Sequence, residues 1–198
     1  MHGDRRSIFV DRQIHTYLMV FVGATLLMAL YRWHRGGLDI ETALRQCSFS
    51  VASILTTTGF TNHDITLWGP FPVMLFLCLM TIGGCTGSTS GGVKVFRYQI
   101  MWAIVKTHLQ QLRRPHGVFL ATYNRKKIPE GVFTSVFTFC GAYCLSLAVL
   151  ALSLSYFDMD FLSAFSAATT ALNNVGPGLT HAFGPMGSYS PLTDGAKW

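Results

Sequence analysis

Between Phe71 and Leu112 one apolar stretch is cut near its middle by Gly83-Gly84-Cys85-Thr86-Gly87-Ser88-Thr89-Ser90-Gly91-Gly92. Five glycines in ten residues cannot make a comfortable helix interior, because glycine loses more backbone freedom on ordering than any other residue. The flank before the break, Phe71 to Ile82, is roughly 18 Å long as a helix, too short to cross a hydrocarbon core of about 30 Å. The flank after it, Val93 to Leu112, resumes the apolar character. The whole stretch therefore reads as one membrane crossing broken in its middle. Irregular backbone at that depth persists only where protein or a water-filled cavity satisfies its polar groups.

Two further runs fit unbroken crossings. Tyr17 to Tyr31, extended to Ile14 and Trp33, covers roughly 30 Å as a helix, and Tyr17, Tyr31 and Trp33 suit the interfacial aromatic belt. Phe133 to Phe157 has 25 residues without a charge, roughly 37 Å of helix, enough to span with tilt. Its Gly141, Ala142, Ser146 and Ala148 are small residues of the kind that admit close helix approach. The composition agrees: half the 198 residues are apolar and 12% are charged, about half the usual charged share.

The net charge of +6 does not point to nucleic acid, because the basic residues do not spread over a face. Six of the fifteen lie between Lys106 and Lys127, with no acidic residue before Glu130, and Arg5, Arg6 and Arg12 lie in the first dozen residues. Under the positive-inside rule, residues 1–13 and 106–130 are cytoplasmic, and the segments near 34–70 and 158–198 lie outside. The N-terminus is then cytoplasmic and the C-terminus external. The charged start, with no small-residue cleavage site after a short apolar core, does not read as a cleaved signal. Cys47, Cys78, Cys85, Cys140 and Cys144 show no paired metal spacing; Cys140 and Cys144 share one helix face as small hydrophobes. No two of the seven histidines lie four apart, and no nucleophile with a base and an orienting partner is discernible, so no enzyme is read here.

Two stretches between the crossings resemble each other: Phe49 to Phe60, ending Thr56-Thr57-Thr58-Gly59-Phe60, and Phe165 to Pro177, ending Asn173-Asn174-Val175-Gly176-Pro177. Aligning Gly59 on Gly176 also aligns Leu55 with Leu172 and Ser53 with Thr170. Acidic residues precede each, Asp39 and Glu41 in one and Asp158 and Asp160 in the other, where carboxylates suit a helix start. A repeated unit of crossing, short helix, glycine loop and crossing is the result. A short helix entering the membrane must return through a loop; its C-terminus carries partial negative charge, and extended-loop carbonyls can replace the hydration shell of a cation. On this reading the carbonyls around Thr57, Thr58 and Gly59, and around Asn174, Val175 and Gly176, contact the ion. The alternative for each segment alone is an external turn, since Asn, Gly and Pro are ordinary turn formers.

The three motifs Thr56 to Phe60, Gly83 to Lys94 and Leu172 to Gly178, in that order, resemble the TrkH/TrkG potassium uptake proteins and, more widely, the Trk/Ktr/HKT superfamily that includes KtrB. Leu112-Arg113-Arg114-Pro115-His116-Gly117-Val118 also looks like that family. The resemblance covers essentially the whole chain. It implies an all-α integral membrane fold of helix–pore loop–helix repeats, four of them around one axis. Residues 1–113 correspond to a third repeat, 114–132 to a cytoplasmic loop and 133–198 to an incomplete fourth. The Gly-rich break resembles an intramembrane gating loop, which places Gly83, Gly84, Gly87, Ser88, Gly91, Gly92 and Lys94 in it. K+ is then the transported ion, with no organic cofactor, in the bacterial inner membrane. The partners implied are a second copy of the subunit and a cytosolic nucleotide-binding ring of the TrkA type, with the basic segment Lys106 to Lys127 either near that contact or simply a solvated loop.

The first two repeats, and the last helix with its family arginine, have no counterpart here. The expectation is therefore a fragment of the full subunit, needing the missing half of the pore. A phosphate-cradling P-loop is a poor rival, because Lys94 follows Gly92-Val93 with no Ser or Thr after it. A cation-coupled secondary transporter with broken helices is the serious one.

Overall fold

The computed structural model describes residues 11–114, 117, 119–124, 126–180, 184 and 187. Arg5 and Arg6, Pro115, His116 and Val118 of the basic segment, and the stretch 188–198 assigned to the outer side lie outside the described residues.

Helix α1 (Arg12–Gly36) begins at Asp11, whose carboxylate accepts from the Gln13 N–H at 2.9 Å, and stops where Gly37 turns left-handed. A side-chain oxygen at that position satisfies one of the amides a helix start leaves without a partner. One stripe of α1, with Ala24, Met28 and Ala29, is buried against Cys47, Val51 and Leu55 of α2 (Ile40–Leu55). The opposite face keeps Leu18, Met19, Val22, Leu26 and Leu30 exposed, Met19 by 73%. An apolar face of that extent belongs against lipid rather than water.

A 3₁₀ turn (Ile65–Trp68) then leads into α3 (Pro70–Ile82), which starts with proline in its first turn, where no N–H is needed. Trp68 and Phe76 meet at a ring distance of 6.0 Å, and the Arg32 guanidinium lies 4.6 Å from the Trp68 ring. The chain leaves helical geometry at Gly83 and recovers it in α4 (Val95–Arg113), so the interruption falls where the glycines are.

After α4 comes a hairpin, β1 (Thr122–Tyr123) and β2 (Lys126–Lys127), paired Thr122 to Lys127 and Tyr123 to Lys126. It departs from an all-α expectation. Asn124 turns it at φ 47°, a conformation asparagine tolerates, and the Tyr123 ring stands edge-on to Phe96 at 5.2 Å. A second small core, Ile100 and Ile104 with Ile128 and Val136, joins α4 to the foot of α5 (Glu130–Ser155).

Helix α5 carries the longest apolar face, with Leu145 and Leu152 exposed by 67% and 71%. Among the described residues, α1 and residues 131–155 are the two helices long and apolar enough to cross a membrane. The small residues of α5 need a correction. Gly141, Ala142, Ser146 and Ala148 are exposed, and nothing stands within 4 Å of the Gly141 Cβ position, so among the described residues no helix packs on them. Packing of α5 on α6 (Phe161–Asn173) instead uses larger groups, such as the Tyr143 phenol. Cys140 packs as expected, its Sγ 3.5 Å from Met101 Sδ, whereas Cys144 is exposed and does not.

Candidate functional site

Helices α2 and α6 end in the same way. At the end of α2 the Thr57 N–H donates to the Ile54 carbonyl at 3.1 Å and the Thr58 N–H to Ser53 at 2.9 Å. At the end of α6 the Asn174 N–H donates to Ala171 at 3.2 Å and the Val175 N–H to Thr170 at 3.0 Å. Both are Schellman closures, with one residue turned left-handed to bring the chain back over the last turn. Thr57 and Asn174 are those residues, each at φ 55°. Asparagine accepts that conformation; for a β-branched threonine it costs about 1–2 kcal/mol. The offset between the two ends is the one that aligns Gly59 with Gly176.

The helix starts differ. Asp39 precedes α2 without a side-chain capping bond, whereas the Asp160 carboxylate accepts from the Ser163 N–H at 3.3 Å. Hydrogen bonding to Ser163, side chain first, holds the Asp160 carboxyl below the usual carboxylate range.

The six candidate residues lie in the turn that closes each helix and the two residues after it. Thr58 is exposed, with its hydroxyl 2.7 Å from that of Thr56. Gly59 has φ 76°, and a Cβ there would overlap the Val175 carbonyl oxygen and press on the Pro177 ring. The two segments therefore touch backbone to backbone. Gly176, at φ 105°, has open space at its Cβ position. Val175 is buried, and Asn174 is exposed. The segment after α6 is tied down by Thr170 Oγ1 donating to the Pro177 carbonyl at 3.1 Å and by the Leu179 N–H donating to Ser166 Oγ at 2.7 Å.

The Gly-rich break is an ordered loop held mostly by its own hydroxyls. Ser90 Oγ accepts from the Gly84 N–H and lies 2.8 Å from Ser88 Oγ, which donates to the Cys85 carbonyl. The Val93 N–H reaches back to Thr81 and the Val95 N–H to Gly84, so α3 and α4 are stitched across the break. Gly83 and Gly92 pack with no room for a side chain between them, while Gly87 is exposed with open space around it. Lys94 takes φ 63° and donates its ammonium to the Ser88 carbonyl at 2.6 Å. At the outer edge of the loop the Thr86 N–H donates to Gln13 Oε1 of α1 at 3.0 Å.

Gly91 joins this loop to both helix ends. Its N–H donates to Thr57 Oγ1 at 3.2 Å, and a Cβ on it would overlap the Asn173 carbonyl. Asn173 is 0% exposed; its amide nitrogen donates to the Thr169 carbonyl at 2.7 Å, and its oxygen accepts from Tyr143 Oη at 3.0 Å. Sequence patterns place Asn173 inside the motif Leu172 to Gly178 without a role of its own, and they do not single out Tyr143. A buried amide at the last turn of a short apolar helix was the available signal, since such a group needs partners.

Residues 24–190 match the TrkH family, described as a cation transport protein. The chain belongs to the TrkH family. It is 37% identical over 198 residues to the Trk system potassium uptake protein TrkI of Halomonas elongata, covering all of this chain and 40% of that protein. It is 33% identical over 189 residues to TrkH of Salmonella typhimurium, covering 95% of this chain and 38% of that protein. The crystal structure of the potassium transporter TrkH from Vibrio parahaemolyticus superposes with a TM-score of 0.87 at 33% identity, over 96% of this chain and 40% of that one. This TrkH-family chain thus spans about 40% of the length of the relatives it matches, and its helical membrane fold is theirs over that span.

Proposed function

We propose that this chain takes part in potassium uptake, and that the segments after α2 and α6 line the ion path with their backbone oxygens. The observation that carries this is Gly91, which meets the end of α2 through Thr57 and the end of α6 through Asn173. One loop beneath two convergent helix C-termini is the arrangement a cation filter with a constriction below it requires. Those C-termini direct partial negative charge at the space beyond them, and carbonyls can replace a hydration shell there. On this reading Thr57, Thr58, Gly59, Asn174, Val175 and Gly176 contact K+, and Gly83 to Lys94 form the gate. The name "potassium uptake protein" carried by the relatives supports K+ as the cargo. Residues 1–113 and 133–198 are then two pore repeats joined by a cytoplasmic loop, with the N-terminus inside and the C-terminus outside the bacterial inner membrane.

Two such segments cover one side of an ion, so other polypeptide completes the wall. A homodimer and a cytosolic nucleotide-binding ring of the TrkA type are the partners proposed. No chemical step is assigned to the chain, and the ion is cargo rather than a cofactor.

The test uses Thr58→Cys and Asn174→Cys, each in a background lacking the five native cysteines. A cationic thiol reagent applied from outside should block rubidium uptake, and K+ should slow the block. Full modification at both positions with undiminished uptake would end the filter reading.

A further inference from the structure

We propose that a cavity at the start of α1 binds the headgroup of an anionic phospholipid. The cavity, about 600 Å³, lies between the first turn of α1, one face of α4 and the hairpin, and Arg12, Thr16, Gln99, Trp102, Lys106 and Tyr123 line it. Arg12 opens the first spanning helix, so the cavity sits at a membrane boundary whichever way the chain is oriented.

Two cations from different helices face this space. Among the described residues neither Arg12 nor Lys106 has a carboxylate partner. The nearest acid in sequence, Asp11, is engaged as the cap of α1, bound to the Gln13 N–H. Basic pockets between membrane helices hold anionic headgroups, since each basic residue near the surface adds attraction for lipid phosphate.

The floor of the cavity is a closed polar network. The Gln99 amide nitrogen spans the floor of the cavity, donating to the Arg12 carbonyl at 3.0 Å and to Thr16 Oγ1 at 2.6 Å. Both contacts use the nitrogen, and the carbonyl can only accept, which fixes the amide's orientation. Gln99 Oε1 is left buried with no partner. A buried acceptor without a donor is costly. That oxygen is closed off from the cavity, so the choice of ligand rests on Arg12 and Lys106: a net anionic headgroup complements them, and a zwitterionic choline headgroup does not.

The wall of the cavity favours lipid over free phosphate. Trp102 is 69% exposed, and Val105, Leu109 and Leu112 continue an exposed apolar face along α4. Acyl chains can lie along that face while the headgroup enters between Arg12 and Lys106.

The test is native mass spectrometry of the delipidated full chain with added phosphatidylglycerol, phosphatidylcholine or inorganic phosphate. Phosphatidylglycerol should bind in preference to phosphatidylcholine. Arg12→Gln combined with Lys106→Gln should weaken it roughly thirtyfold, about fivefold for each basic residue removed. Arg113→Gln combined with Lys127→Gln, an equal charge change outside the cavity, should leave it unchanged. Equal binding of the two lipids, equal loss in the control, or displacement by millimolar phosphate would each overturn the proposal. A measurement on the unmutated residues guards against misfolding of the double variant: brominated phosphatidylglycerol should quench Trp102 fluorescence, read as the difference from Trp102→Phe, more than brominated phosphatidylcholine. Equal quenching would refute the site.

Discussion

The backbone N–H of Gly91 donates to the hydroxyl of Thr57 at 3.2 Å, and through this bond the break in one crossing is fastened to the end of a different helix. The acceptor belongs to a threonine held in a left-handed conformation that its branched side chain disfavours. Backbone strain of this kind persists where the surroundings enforce it.

Thr57→Val keeps the shape of the side chain and removes the acceptor. The Gly91 N–H then loses its partner, at a cost of about 1–3 kcal/mol. We expect a lower Tm and increased leak of rubidium through the assembled protein, while Thr57→Ser stays close to wild type in both. Indistinguishable Val and Ser variants would show that the bond has no part in holding the loop.

The two candidate filter glycines should not respond equally. Alanine at either position meets a positive φ, costing about 1–2 kcal/mol, but only at Gly59 does the added carbon overlap the Val175 carbonyl. Gly59→Ala should therefore disturb the selectivity of uptake for K+ over Na+ more than Gly176→Ala. Competition of Na+ with rubidium uptake reads the difference, and the reverse order would contradict the backbone-to-backbone contact.

Lys94 contributes a strained backbone and an ammonium bound to Ser88, and two substitutions separate them. Lys94→Met keeps the strain and loses the bond, so it should loosen the loop and raise basal flux. Lys94→Gly relieves the strain as well and should recover part of the lost thermal stability without restoring low flux. Flux unchanged in Lys94→Met would remove the ammonium from the gate.

At Asp160 the expected dependence is on pH. Its carboxyl titrates below the ordinary range, because Ser163 hydrogen-bonds the charged form. The stabilisation is therefore present above the ordinary carboxylate pKa and is lost as pH falls through the lowered one. Asp160→Asn keeps the cap and should flatten that acid-side loss of Tm. Asp160→Ala should cost about 0.5–2 kcal/mol at neutral pH. A wild-type acid profile in Asp160→Asn would assign the loss to another group.

Much of this architecture is legible in the sequence, because membrane helices announce themselves by unbroken apolar length and glycine clusters by their refusal to be helical. The break at Gly83, the two long spans and the parallel between the segments ending at Gly59 and Gly176 all follow from those two rules. Long-range geometry is less accessible. That Gly91 lies against Asn173 depends on how α4 and α6 approach, which no local pattern encodes. Nor does composition distinguish a small residue awaiting a helix from one facing outward, and Gly141 illustrates the difference. Thr57 is hidden for a third reason: its neighbours impose a conformation its own propensity opposes.

The first turn of α1 is gripped at two points, Gln13 by Thr86 of the glycine-rich loop and Arg12 by Gln99 of α4. A change in bilayer thickness that tilts or shifts the foot of α1 must then be transmitted to the loop, or these tethers must part. The mechanical state of the surrounding membrane thus has a direct connection to the glycine-rich loop.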